Sequence, residues 1–255
     1  MDPDSTADDV TGNPAGAWWS AIDATPAAVR RRVVEAGVDG GVLVQAVGAH
    51  GYDNSVAIEA ARSLRGDWRA MVVLHPLARD PIAQLDDAAT RGAGGLRLFS
   101  VPTPERSWID ADRGIRLVER CGQLGIGPSG CCLPAELGAV ENLARAVPDV
   151  ELALDHAGFL DVAGTEIERL ARRENLVVKL STGVFDHSSL GPGATLRRLV
   201  DLFGPTRLAW GSDHPQVHDR TYRELVALGR EAVQELPDAT RAAILEGTTR
   251  RLWLR

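Results

Sequence analysis

Two hydrophobic rhythms alternate along this chain. Short apolar runs stand at 41–45 (GVLVQ), 70–74 (AMVVL), 95–98 (GLRL), 126–132, 150–155 (VELALD), 176–180 (LVVKL) and 207–210. Between them, apolar residues recur at helical spacing over 25–36, 55–64, 80–91, 110–124, 134–146, 165–173, 194–203, 219–235 and 238–253. Short buried strands alternating with amphipathic helices predict βαβ units around a parallel sheet. The punctuation agrees. Thr25-Pro26 supplies an N-cap and a proline for the first helical turn, and Gly37 suits its end. Residues 1–24 lack either rhythm and read as a weakly ordered tail, packed at most through Trp18 and Trp19; 25–255 reads as one domain.

Seven strands are counted, each followed by a helix, with one helix ahead of the first. A closed (β/α)8 TIM-like barrel needs eight strands, so the expected fold is such a barrel with its first strand missing or atypical. AGAWWSAI (15–22) is the sole candidate for that strand. An open doubly wound sheet is the alternative, but no Gly-rich phosphate loop follows an early strand.

Composition narrows the partners. A net charge of −7 disfavours nucleic acid, which needs a basic face. No apolar run is long enough to span a membrane, and MDPDSTADD lacks the basic-then-apolar order of a signal peptide. A cytoplasmic location is expected. Cys121, Cys131 and Cys132 are an odd set and read as reduced thiols.

In parallel α/β enzymes, chemistry sits at the carboxyl ends of the strands. Asp213, after the run LAWG, is the strongest candidate there: it could take a proton from water or bind a metal. His156 in LDHAG could polarise a carbonyl. Arg97 occupies an apolar position in GLRLF, where it could hold a substrate carboxylate or form a structural ion pair. Lys179 is read as a buried ion-pair partner ahead of a Schiff-base amine. Of adjacent Cys131 and Cys132, at most one faces the site. Gln45, His50 and Ser181 lie at other strand ends and could shape the pocket. His75, His187, His214 and His218 read as solvated or capping histidines. Neither HxH nor HExxH occurs anywhere, so no metal ligand is assigned and no cofactor is expected.

Taken together, LDHAG, VVKLS and LAWGSDHP resemble strands six to eight of the second branch of the amidohydrolase-related superfamily. ILEGTTRRLW resembles its closing helix. VLVQ with HGYDN (50–54) resembles the lactonase subgroup, which includes 2-pyrone-4,6-dicarboxylate lactonase, and GLRLF its carboxylate-holding fourth strand. The resemblance spans about residue 25 to the end. It implies a (β/α)8 barrel that hydrolyses, or occasionally decarboxylates, a small organic acid.

Three departures stand out. The HxH of the first strand is absent, and Met1-Asp2-Pro3 resembles the residues just after that pair, so either the pair is lost or the chain starts downstream of it. Cys131 stands where the fifth strand carries His. His214 stands where Trp comes after Gly-Ser-Asp.

The leading expectation is therefore a hydrolase of a small carboxylate-bearing lactone or related ester, without a metal, using Asp213 on water, His156 on the carbonyl and Arg97 on the carboxylate. A non-catalytic ligand- or partner-binding barrel is the alternative. A metal-dependent hydrolase or decarboxylase, with a metal such as zinc, requires an upstream HxH. A missing first strand leaves two sheet edges open, which favours a homo-oligomer.

Overall fold

The computed structural model describes residues 23, 25–100 and 112–255. The readings of 1–22, with Trp18 and Trp19, and of most of the loop after Arg97's strand lie outside these residues. Seven strands form one wholly parallel sheet in sequence order. They are β1 (Gly40–Val44), β2 (Asp67–Val73), β3 (Ala93–Phe99), β4 (Gly127–Cys131), β5 (Leu152–Leu154), β6 (Leu176–Ser181) and β7 (Leu208–Gly211). Each pairs with the next, and among the described residues no ladder joins β7 to β1.

The helices follow the expected alternation. They are α1 (Pro26–Glu35), α2 (Val47–His50), α3 (Ser55–Ser63), α4 (Pro81–Thr90), α5 (Asp112–Leu124), α6 (Leu137–Ala146), α7 (Glu166–Ala171), α8 (Thr182–His187), α9 (Pro192–Phe203), α10 (Tyr222–Val233), α11 (Asp238–Ala242) and α12 (Thr248–Trp253). Thr25 caps α1 by accepting the Ala28 N–H, with Pro26 at the first position. Thr221 and Glu224 form a reciprocal capping box on α10. The closing helix runs continuously from α11 to α12 through a π-helical turn at Ala243–Gly247. Two short helices, α2 and α8, fall outside the helices expected from the sequence. Each is too brief to show a helical apolar period. β5 is shorter than its apolar run, because the chain turns away at Asp155.

The core has two compartments. Outward-facing strand residues and the helices form the large one, including Leu96, Leu98, Leu154, Val178 and Leu180. A smaller one fills the foot of the sheet's concave side: Met71, Ala153, Val177, Ala209, Leu252 and Trp253, joined by Val42 and Val44. Trp253 enters from α12 and donates its indole N–H to the Gly127 carbonyl at 3.2 Å. Glycines make room for it. A Cβ on Gly127 would lie 2.5 Å from the indole nitrogen, and one on Gly95 would lie 2.8 Å from the ring.

This plug yields a stability prediction. Gly127→Ala is expected to cost about 1–3 kcal/mol through overpacking. Gly138→Ala, in α6 with open space around it, should be neutral or gain up to about 1 kcal/mol. Urea denaturation of both variants checks the pair.

Candidate active site

The alternation of a strand sends every second residue inward. Above the plug this brings Arg97 and Phe99 from β3, Ser129 and Cys131 from β4, Lys179 and Ser181 from β6, and Asp155 and His156 after β5 to the concave side. Asp213 follows β7. Asp155 is fully buried. A buried carboxylate must be matched by charge and hydrogen bonds. Here Arg97 donates its Nε–H to Oδ2 at 2.7 Å, Lys179 Nζ lies 2.8 Å from Oδ1, and the Ser129 hydroxyl donates to Oδ1. Burial alone would raise the Asp155 pKa, but Lys179 and Arg97 outweigh it and hold the carboxyl below the usual range.

Arg97 spends its remaining Nη2 donors upward, on Cys131 Sγ at 3.1 Å and His156 Nε2 at 3.4 Å. Its guanidinium lies 4.8 Å from the centre of the Phe99 ring. Because guanidinium only donates, His156 Nε2 must carry a lone pair. The imidazole proton then sits on Nδ1 and is directed to Ser181 Oγ at 2.8 Å, with Asp213 Oδ2 at 3.8 Å. Burial lowers the His156 pKa, against the opposing pull of Asp213 and Asp155. Burial raises that of Asp213, although His156 and Arg97 pull it down.

Two of these residues sit in unusual backbone. His156 has φ 55° and Asp213 φ 57°, and Ala157 and Phe159 share the left-handed region. Non-glycine residues there cost of order 1 kcal/mol or more each and concentrate at functional sites. The Asp213 turn is fastened by Val217 N–H donating to the Asp213 carbonyl and by Thr182 Oγ1 donating to the Ser212 carbonyl.

The structure thus gathers Asp213, His156, Arg97, Cys131 and Ser181, and it leaves Gln45 and His50 apart. Val42 and Val44 face the inner compartment, so alternation turns Gln45 outward. Its Nε2 donates to the Gly51 and Asp53 carbonyls, shaping the backbone of that loop. His50 is exposed at the end of α2. The reading of Gln45 as a pocket residue is corrected accordingly. Lys179 is the ion-pair partner expected of it. His75 is buried rather than solvated and accepts the Leu77 N–H. His214 is not solvated at its nitrogens either: both are buried without a partner, against the edge of Tyr222.

Cys131, Asp155 and His156 bring donor atoms within 4.8 Å of one another. Their chemistry does not suit a divalent cation. Both oxygens of Asp155 are already committed to two cations, Arg97 and Lys179, which would repel a metal ion at this point. Asp155 and Ser129 were absent from the sequence-derived site. A strict inward count along GPSGC would have flagged Ser129.

A shared tautomer follows from this geometry. At pH 7 His156 should be neutral with its proton on Nδ1, and it should titrate below 6.5. Long-range 1H–15N NMR reads both. The linked effect on stability has a definite sign. Between 6.5 and the lowered folded value, the unfolded state binds more protons, so stability falls as pH drops through that window. His156→Gln should flatten that part of the curve.

The amidohydrolase family model matches residues 20–255. Two 4-sulfomuconolactone hydrolases, from Rhizobium radiobacter and Hydrogenophaga intermedia, are 27% and 29% identical over 194 residues. The matches cover 70% of this chain but only 62% and 61% of those proteins, so the chain spans about three fifths of their length. Among solved structures, an amidohydrolase from Burkholderia multivorans with bound zinc superposes with a TM-score of 0.74 at 22% identity, covering 92% of this chain and 89% of that one. A probable 2-pyrone-4,6-dicarboxylic acid hydrolase from Acinetobacter baumannii with citric acid bound gives 0.68 at 17% identity, covering 90% and 88%. At these identities the structural matches speak for the fold, a TIM-barrel type.

Proposed function

This chain belongs to the amidohydrolase family, and we propose that it hydrolyses a lactone or related ester of a small carboxylic acid, with water activated by Asp213. The observation that carries this reading is the position of Asp213. It stands at the mouth of the sheet with a raised pKa, beside a neutral imidazole and above a buried guanidinium. The kinship to lactone hydrolases in sequence supports the reaction class.

The step is an acyl transfer to water. Asp213, ionised, takes a proton from water as its oxygen attacks the acyl carbon. Negative charge builds on the carbonyl oxygen, the ring C–O bond breaks, the ring oxygen takes the proton that Asp213 accepted and leaves as a hydroxyl, and the new carboxyl group releases its proton to solvent. Arg97 has committed Nε and Nη2, and Nη1 remains to meet a substrate oxygen, whether a carboxylate or the developing oxyanion. His156, with no proton on Nε2, does not polarise the carbonyl through that atom. It holds Arg97 on one side and presents Nδ1–H toward Ser181 and Asp213 on the other. Cys131 and Phe99 line the wall next to Arg97.

The proposed step needs no divalent ion among the described residues. The tripartite donor group is occupied by Arg97 and Lys179, which would repel a further cation. A membrane role has no support either: among the described residues, no helix is long and apolar enough to cross a bilayer.

Three outcomes are expected with a panel of five- and six-membered lactones bearing one carboxylate, followed by proton release. Asp213→Asn should lower kcat by at least about a hundredfold, with the fold intact by circular dichroism. For the wild type, kcat/KM should fall on the acid side with an apparent pKa above 3.8, since protonated Asp213 cannot act as base. Dialysis against a chelator should leave the rate unchanged. Retained turnover in Asp213→Asn would sink the mechanism, and loss of activity on chelation that zinc restores would sink its metal-free form.

A further inference from the structure

Lys179 is the only lysine in the chain, and it meets the site through Asp155. Its ammonium lies 2.8 Å from Asp155 Oδ1 and 5.8 Å from the centre of the Trp253 ring. Its side chain keeps 21% exposure, Arg97's 14%, and Asp155's none. The cluster therefore holds two fixed positive charges against one fully buried negative charge.

That imbalance needs a reason. A barrel interior is ordinarily closed with branched apolar side chains, and replacing a buried ion pair by such residues is often neutral or stabilising. An Arg97–Asp155 pair alone would already be matched. It would also be of little use to an anionic substrate, because the charge of Arg97 would be spent on Asp155. The third charge changes this. With Lys179 on Oδ1 and Arg97 on Oδ2, Asp155 is neutralised and one positive charge is left over; it faces the ionised Asp213, and a substrate anion shares it with that carboxylate.

Resting on the lactone-hydrolase reading above, we infer that Lys179 is a positioning residue for the reaction: it cancels Asp155, so that the charge of Arg97 remains available to a carboxylate-bearing lactone. Ser129 completes the clamp by donating to Asp155, which fixes the carboxylate plane and with it the face of the guanidinium. The substrate class this implies is an anionic lactone, with the anionic group seated at the Nη1 edge of Arg97.

The experiment compares a butenolide carrying one carboxymethyl group with its neutral methyl ester. The enzymes are the wild type, Lys179→Met, Lys179→Arg and the charge-balanced double variant Asp155→Asn/Lys179→Met. For Lys179→Met, kcat/KM on the acid should fall by about ten- to hundredfold, chiefly through KM. The ester should be much less affected. Lys179→Arg should keep most of the preference for the acid. The double variant removes one charge of each sign and so leaves Arg97 unopposed; it should regain much of what the single variant lost.

The acid limb gives a second readout, which loss of packing would not move. The groups bearing on Asp213 are His156 and Asp155 after β5, Arg97 from β3, Lys179 from β6 and the Cys131 thiol from β4. Removing the Lys179 charge should move the limb to higher pH, and the double variant should bring it back toward the wild type.

Equal losses on acid and ester, an unmoved acid limb, or a double variant no better than Lys179→Met would overturn the inference. Should Lys179→Met not fold, the double variant decides: an acid preference like that of the wild type supports the inference, and its absence overturns it. If neither folds, the cluster serves folding and the inference is overturned. A wild type that hydrolyses neither compound, nor any lactone of the panel, removes the proposed function itself. A working wild type with an indifferent Lys179→Met removes only the role of Lys179.

Discussion

Much of this molecule depends on how one carboxylate, Asp155, is satisfied. It is wholly buried at the end of the shortest strand, and its two oxygens are shared by Arg97, Lys179 and Ser129 from three other strands. In a low-dielectric interior a buried carboxylate left without a partner would cost several kcal/mol. The same contacts fix Arg97, and Arg97 in turn fixes the tautomer of His156. The chain of consequence runs from a buried charge to the protonation state of an imidazole beside Asp213.

The architecture explains why these groups meet. Parallel strands in sequence order rise side by side, and each sends alternate residues inward. The lower inward positions are small or apolar and close around Trp253, where Gly95 and Gly127 leave space for the indole. The next positions up are Arg97, Ser129 and Lys179, followed by Phe99, Cys131 and Ser181. The polar layer is thus framed by an apolar floor below and the strand mouths above. Such a floor keeps water from the lower side of the ion cluster and makes each charge in it count for more.

Much of this was legible in the sequence, and the limits have physical causes. The seven strands were visible because each is a short apolar run between amphipathic helices, and their parallel order follows from that alternation. Asp213 and His156 were visible because they directly follow such runs. Arg97 and Lys179 betrayed themselves as charges inside apolar strands, although sequence alone could not say that they share one partner. That partner, Asp155, was hidden: an Asp at a strand end reads equally well as a turn residue. Ser129 was hidden by the glycines and proline around it, which weaken the strand signal. Gln45 misled because position after a strand does not reveal direction. The inner side of β1 is set by Val42 and Val44, so Gln45 turns to the loop behind it.

The substitution of Cys131 for the expected histidine is best understood within the same electrostatics. Beside Arg97 and Lys179, an imidazole at that position would meet two permanent cations and would be forced neutral. A thiol costs less to bury, accepts a hydrogen bond from Arg97 and adds no charge. A site built to receive a divalent ion gathers negative and neutral donors and keeps fixed cations at a distance. Here two cations, Arg97 and Lys179, stand directly against the one buried carboxylate of the donor group.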